Sequence, residues 1–125
     1  MEINMDIEPI IYYWPNGKVE LKFYYINNKF HRVDGPATIN YYETGKIERE
    51  NWYFNGIQHR IDGPAVIFYY ESGETELEFW YLNDKELKNK ELIEYKEWLT
   101  NNNLFSKSNI NWTDEEKVLW RLTWV

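Results

Sequence analysis

The chain holds two histidines, and each stands three residues before an aspartate: His31 with Asp34, and His59 with Asp62. An imidazole beside a carboxylate can serve general acid–base chemistry or hold a metal. Neither use is completed nearby. Two histidines fall short of the three ligands of a typical catalytic zinc unless carboxylates finish the set. No serine nucleophile motif accompanies either pair, and the chain has no cysteine, which also removes disulfides and thiolate metal sites. A hydrolase built on the His–Asp pairs is the least supported of three readings. No catalytic residue, metal or cofactor is expected.

Both pairs belong to a longer recurrence. Residues 31–58 overlay residues 59–86 with 16 of 28 positions identical, which chance does not produce. The period runs backwards with decay: Gly17, Gly45 and Gly73 are in phase, as are Tyr25, Tyr53 and Tyr81, and Asp6 aligns with Asp34 and Asp62. Catalysis needs an asymmetric constellation, so a heptad found once per unit reads as a corner device. His31 and His59 are expected to bond backbone groups. Asp34 and Asp62 should cap turn amides. Arg32 and Arg60 should pair with an acid or stack on a ring. Gly35-Pro36 and Gly63-Pro64 make the sharp bend, because Gly frees φ and Pro ends strand pairing.

The elements that carry these corners read as β-structure. Residues 37–42 and 65–70 are β-branched and aromatic, and residues 47–54 and 75–82 are their return strands. Asn55-Gly56 suits a two-residue hairpin turn, with Asn83-Asp84 and Asn27-Asn28 as weaker versions. The period implies a meander adding about one hairpin per 28 residues. The tail switches period. Leu92, Tyr95, Trp98 and Leu99 sit at helical spacing, closed by Asn101-Asn102-Asn103. Thr113 and Glu116 form a capping box, followed by a stripe of Val118, Leu119, Leu122 and Val125 with Trp120 and Trp124 beside it. The fold class is therefore mainly β, an antiparallel hairpin-repeat sheet over residues 12–86. Two short helices in residues 87–125 cap the last hairpin and its edge, all within one domain spanning 1–125.

The two copies, His31-Arg32-Val33-Asp34-Gly35-Pro36-Ala37 and His59-Arg60-Ile61-Asp62-Gly63-Pro64-Ala65, are each followed by Tyr-Tyr, a Gly turn, Trp-Tyr and Asn. This pattern resembles the divergent MORN-type repeat found in proteins of bacteriophages and large DNA viruses. The resemblance covers roughly residues 12–86; ordinary MORN units are shorter and richer in Gly. It implies a non-enzymatic sheet used for protein contacts, assembly or membrane tethering. It also implies a viral setting, in which a small acidic protein would by analogy inhibit a host factor.

Composition narrows the partner. Against 14 Lys+Arg stand 21 Asp+Glu, a net charge of −7. Nucleic acids and anionic membrane surfaces both require a basic face, so neither is expected as partner. Aromatics make up 19% of residues, which excludes a disordered chain. The first residues carry Glu2, Asp6 and Glu8 and no basic n-region, and no apolar run approaches the ~18 residues of a membrane helix. A cytoplasmic protein is expected, in the host cytoplasm on the viral reading.

At period 2, Glu20, Lys22, Tyr24 and Ile26 share one strand face, recurring as Glu48, Glu50, Trp52, Phe54 and as Glu76, Glu78, Trp80, Leu82. The other face carries Tyr25, Tyr53 and Tyr81. One reading is a slab with rings on both sides and solvated acids at the strand starts. The other is an acidic-aromatic surface for a protein partner with a basic surface, with Glu20, Tyr24, Glu48, Trp52, Glu76, Glu78 and Trp80 as contacts. A non-enzymatic interaction module is the favoured function. The alternative is a nucleotide binder using Arg32, Arg49 and Arg60. A homodimer through the N-terminal edge near residues 12–14 is a further expectation, limited by Pro15.

Overall fold

Two consecutive left-handed residues close a two-residue hairpin whose twist matches its strands. Among the described residues the chain does this three times: Asn27 and Asn28 lie at φ 51° and 62°, Asn55 and Gly56 at 49° and 78°, Asn83 and Asp84 at 48° and 70°. The weaker turn sequences therefore form as well as Asn-Gly. The computed structural model describes residues 8–105 and 107–124. Glu2, Asp6 and Val125, to which the sequence reading assigns places, lie outside them.

The first unit comprises β1 (Ile10–Tyr13), β2 (Val19–Phe23), β3 (Tyr25–Ile26) and β4 (Lys29–Phe30). The second comprises β5 (Thr38–Tyr41), β6 (Ile47–Asn51), β7 (Tyr53–Phe54) and β8 (Ile57–Gln58). The third comprises β9 (Val66–Tyr69), β10 (Thr75–Leu82) and β11 (Lys85–Leu87). Long strands form one antiparallel sheet in the order β1-β2-β5-β6-β9-β10-β11, while β3-β4 and β7-β8 form separate two-stranded sheets. Each unit thus adds two hairpins, one long and one short, rather than the single hairpin implied by the period. The degraded first unit keeps the full pattern.

The change of sheet happens at one aromatic residue. Tyr24 donates its N–H to the Ala37 carbonyl of the next unit and accepts the His31 N–H of its own short hairpin. Trp52 does the same with Ala65 and His59. The return strands therefore break at Tyr24 and Trp52, whereas β10, which has no following unit, runs unbroken through Trp80. Successive short hairpins are stitched together as well: Gly56 donates to Phe30 and Asp84 to Gln58, each at 2.8 Å.

A second irregularity recurs in phase. In β1–β2 the register passes from Tyr12↔Leu21 to Tyr13↔Val19, skipping Glu20. In β5–β6 it skips Glu48, and in β9–β10 it skips Glu76. The glutamate column is a column of β-bulges, one extra residue per long hairpin. A bulge resets the alternation of side chains, so the expected face from Glu20 through Tyr24, and its two repeats, does not run at a simple period of 2.

The tail forms α1 (Asn89–Asn101), a single 3₁₀ turn (Asn109–Asn111) and α2 (Asp114–Trp124). The capping box is made: the Thr113 N–H donates to Glu116 Oε1 at 2.8 Å, and the Glu116 N–H donates to Thr113 Oγ1 at 3.1 Å. The Thr113 amide, with help from Lys107, holds the Glu116 carboxyl below its usual range. The helices dock on the last hairpin, where Trp80, Leu82 and Leu87 pack with Tyr95, Leu99, Leu104, Trp112 and Trp120.

α2 turns its two indoles, not its aliphatic stripe, toward the core. Val118, Leu119 and Leu122 are exposed, Leu122 at 80%, while Trp120 is buried and Trp124 half-buried. Each indole buries a large apolar area for a single residue. They also find specific partners: Trp120 Nε1 donates to the Tyr95 hydroxyl at 2.9 Å, and Trp124 meets the Tyr95 ring edge-on at 4.8 Å. Among the described residues no helix is long and apolar enough to cross a membrane.

Candidate functional site

Each heptad folds into a lock around its arginine. Arg32 Nε donates to Asp34 Oδ1 at 3.2 Å, and its Nη1 donates to the Pro36 carbonyl at 3.2 Å. Arg60 repeats both bonds with Asp62 and Pro64 at 2.8 and 3.0 Å. The guanidinium carbon lies over the ring of the preceding switch residue, Arg32 over Tyr24 at 4.2 Å and Arg60 over Trp52 at 3.9 Å. The glycine of the same heptad also lies against the guanidinium. A Cβ on Gly35 or Gly63 would stand 2.7 Å from that carbon, so only glycine leaves the cation room between ring and backbone.

The histidines act on the next hairpin. His31 Nδ1 accepts the Asn55 N–H at 3.0 Å, and His59 Nδ1 accepts the Asn83 N–H at 2.9 Å. These amides belong to left-handed residues at the hairpin tips, so each imidazole fixes the tip one unit ahead. Burial lowers both imidazole pKa values, which favours the neutral form with Nδ1 free to accept.

The aspartates depart from expectation. They do not cap amides of their own turn; Asp34 and Asp62 take the arginine Nε–H instead. Asp62 also accepts an amide from far along the chain, the Asn109 N–H at 2.6 Å. With the imidazoles and carboxylates each bonded elsewhere, neither His–Asp pair forms a hydrogen-bonded dyad among the described residues.

The expected acidic-aromatic contact column is not assembled on one open face. Tyr24 and Trp80 are buried, Trp80 at 3%, and Trp52 is half-buried under Arg60. Their rings serve the locks and the helical cap, which explains why they recur. Glu20 and Glu48 are half-buried bulge residues, while Glu76 and Glu78 are exposed. The other column is more open: Tyr25 is exposed and Tyr53 half-buried, Tyr25 packing on Phe30 at 4.7 Å and Phe30 on Tyr53 at 5.3 Å. Glu50 receives the Tyr69 hydroxyl, and burial, reinforced by that bond, pushes the phenol pKa upward.

Two surface features bear on function. The first is the outer edge of β10. Its partner β11 covers only Trp80 to Leu82, so among the described residues no strand pairs with Thr75 through Phe79 on that side. Glu74, Glu76, Leu77 and Glu78 are all exposed there. The second is a pocket of about 210 Å³ between the two corners, bounded by Val33 and Asp34, by Phe54, and by Ser108, Asn109 and Ile110 of the tail. The repeat phase locates the corners, but nothing in the sequence points to the tail loop closing over one of them. Comparison with family models, with curated proteins and with solved structures finds no match to this chain.

Proposed function

We propose that this protein is a non-enzymatic protein-binding module that takes an extended, basic segment of its partner on the outer edge of β10. The observation that carries this reading is the run Thr75 through Phe79, which pairs with β9 on one side and with no strand on the other among the described residues, and which carries exposed Glu76 and Glu78 after exposed Glu74. An open edge offers backbone donors and acceptors to an added strand, and acidic side chains select lysine or arginine opposite them. The same acids discourage a second copy from pairing edge to edge here, since like charges would meet. The MORN-type resemblance is the sole support for a viral setting, in which the partner is a host factor in the host cytoplasm.

The nucleotide reading needs free cations. Arg32 and Arg60 are held in their locks, and Arg49 bonds Asn51 Oδ1 at 3.2 Å while lying over Phe68. The protein-binding reading is tested by titrating an alternating Lys-Val peptide into the isotopically labelled chain. Amide resonances of Thr75 through Phe79 are expected to shift, less so at high salt, and not at all in a Glu76→Lys/Glu78→Lys variant. Shifts that ignore charge reversal, or none at millimolar peptide, would overturn the reading.

A further inference from the structure

The two corners share their internal bonds and differ in what covers them. At the second corner both carboxylate oxygens of Asp62 are engaged, Oδ1 by Arg60 and Oδ2 by the Asn109 amide. The adjacent Ile61 carbonyl accepts the Tyr95 hydroxyl at 2.5 Å. The chain's own tail therefore clasps this corner, and Asp62 is 8% exposed. At the first corner Arg32 takes Oδ1 of Asp34, and Oδ2 has no hydrogen-bond partner among the described residues; the side chain is 64% exposed.

Beside that carboxylate lies apolar surface. Val33, Phe54 and Ile110 are all exposed, and all three line the pocket between the corners. Exposed apolar groups gathered around a concavity with a polar group mark an interaction site. At about 210 Å³ the pocket lies below the roughly 300–1,000 Å³ of drug-sized ligand sites, so it suits a side chain on a short segment rather than a whole cofactor. One wall is the loop of Ser108, Asn109 and Ile110, so the groove continues an interface the molecule already makes with a peptide segment.

We propose that this groove docks a short extended segment of a protein partner, which places a backbone N–H on Asp34 Oδ2 and an apolar side chain against Val33, Phe54 and Ile110. The segment does at the first corner what Asn109 does at the second. The proposal rests on the protein-binding reading but uses a surface separate from the β10 edge.

The probe is a blocked synthetic peptide spanning residues 107–112, the stretch that clasps Asp62, titrated into the labelled full chain. Saturable shifts are expected at Val33, Asp34 and Phe54. Loss of the charge-assisted bond in Asp34→Ala should weaken binding about tenfold. Val33→Glu changes a residue outside the arginine lock; it should abolish binding while leaving the thermal melt unchanged. A Glu76→Lys/Glu78→Lys variant should bind the peptide normally, which separates failure here from failure of the β10 reading. The proposal is overturned by no shifts at millimolar peptide, by shifts centred on Asp62 and the resident loop, or by unchanged affinity in both Asp34→Ala and Val33→Glu.

Discussion

The two HRxDGPA corners are one device in two settings. Arginine, aspartate, proline carbonyl, glycine and stacked ring recur with the same partners, and each histidine accepts a hairpin-tip amide one unit ahead. The lock is complete within the repeat. The C-terminal tail adds one amide to Asp62, one hydroxyl to the Ile61 carbonyl and a hydrophobic cluster that packs against Ile61. The difference teaches that a repeated motif acquires unequal energetic weight from its surroundings. A carboxylate in water and one out of water make ion pairs of different worth.

Asp62→Ala should have the largest effect. It leaves Arg60, whose side chain is 21% exposed, without its counter-ion and removes the acceptor of the Asn109 amide. About 3 kcal/mol of stability should be lost in urea unfolding. Gly63→Ala comes next. The added Cβ meets a flexible side-chain end, so the clash itself is relieved, but the guanidinium must leave the Trp52 ring and its hydrogen bonds. That should cost about 2 kcal/mol by the same measurement, and Gly63→Ala in an Arg60→Ala background should cost far less.

Acid should weaken both corners. Burial lowers the pKa of His31 and His59 below the ordinary 6.5, so the unfolded chain binds these protons more readily. Stability is then full above pH 6.5 and falls as pH drops through that value toward the lower folded pKa values. Urea midpoints measured across this window should decline, and a His31→Gln/His59→Gln variant should flatten the decline. The single variants apportion it between the corners. The smallest effect belongs to Asp34→Ala: an exposed ion pair contributes about 0.5 kcal/mol, so its urea midpoint should barely move.

Much of this arrangement was legible in the sequence, because it is local or periodic. The 28-residue unit, the Asn-led hairpin turns and the Thr113–Glu116 box each depend on neighbours within a few positions or on the repeat phase. The bulges were harder. Glu20, Glu48 and Glu76 recur visibly, yet a recurring acid at period 2 looks the same whether it lies in the ladder or is skipped by it. The rings of Tyr24 and Trp80 looked like surface contacts because the sequence pattern cannot separate a ring held under arginine or under the helical cap from one that awaits a partner. The orientation of α2 turned on which of two apolar arcs buries, and the Tyr95 hydroxyl on another helix bonds the arc that does. The contact between Asn109 and Asp62 joins residues 47 apart with no shared pattern, so only the folded chain reveals it.

Amide hydrogen exchange at Asn109 tests the central contrast between the corners most directly. The N–H bonded to Asp62 should be protected in the wild-type chain and in Asp34→Ala, and should exchange far faster in Asp62→Ala under conditions where the sheet amides stay protected. Fast exchange of Asn109 in the wild-type chain, or protection that survives the loss of Asp62, would contradict the account.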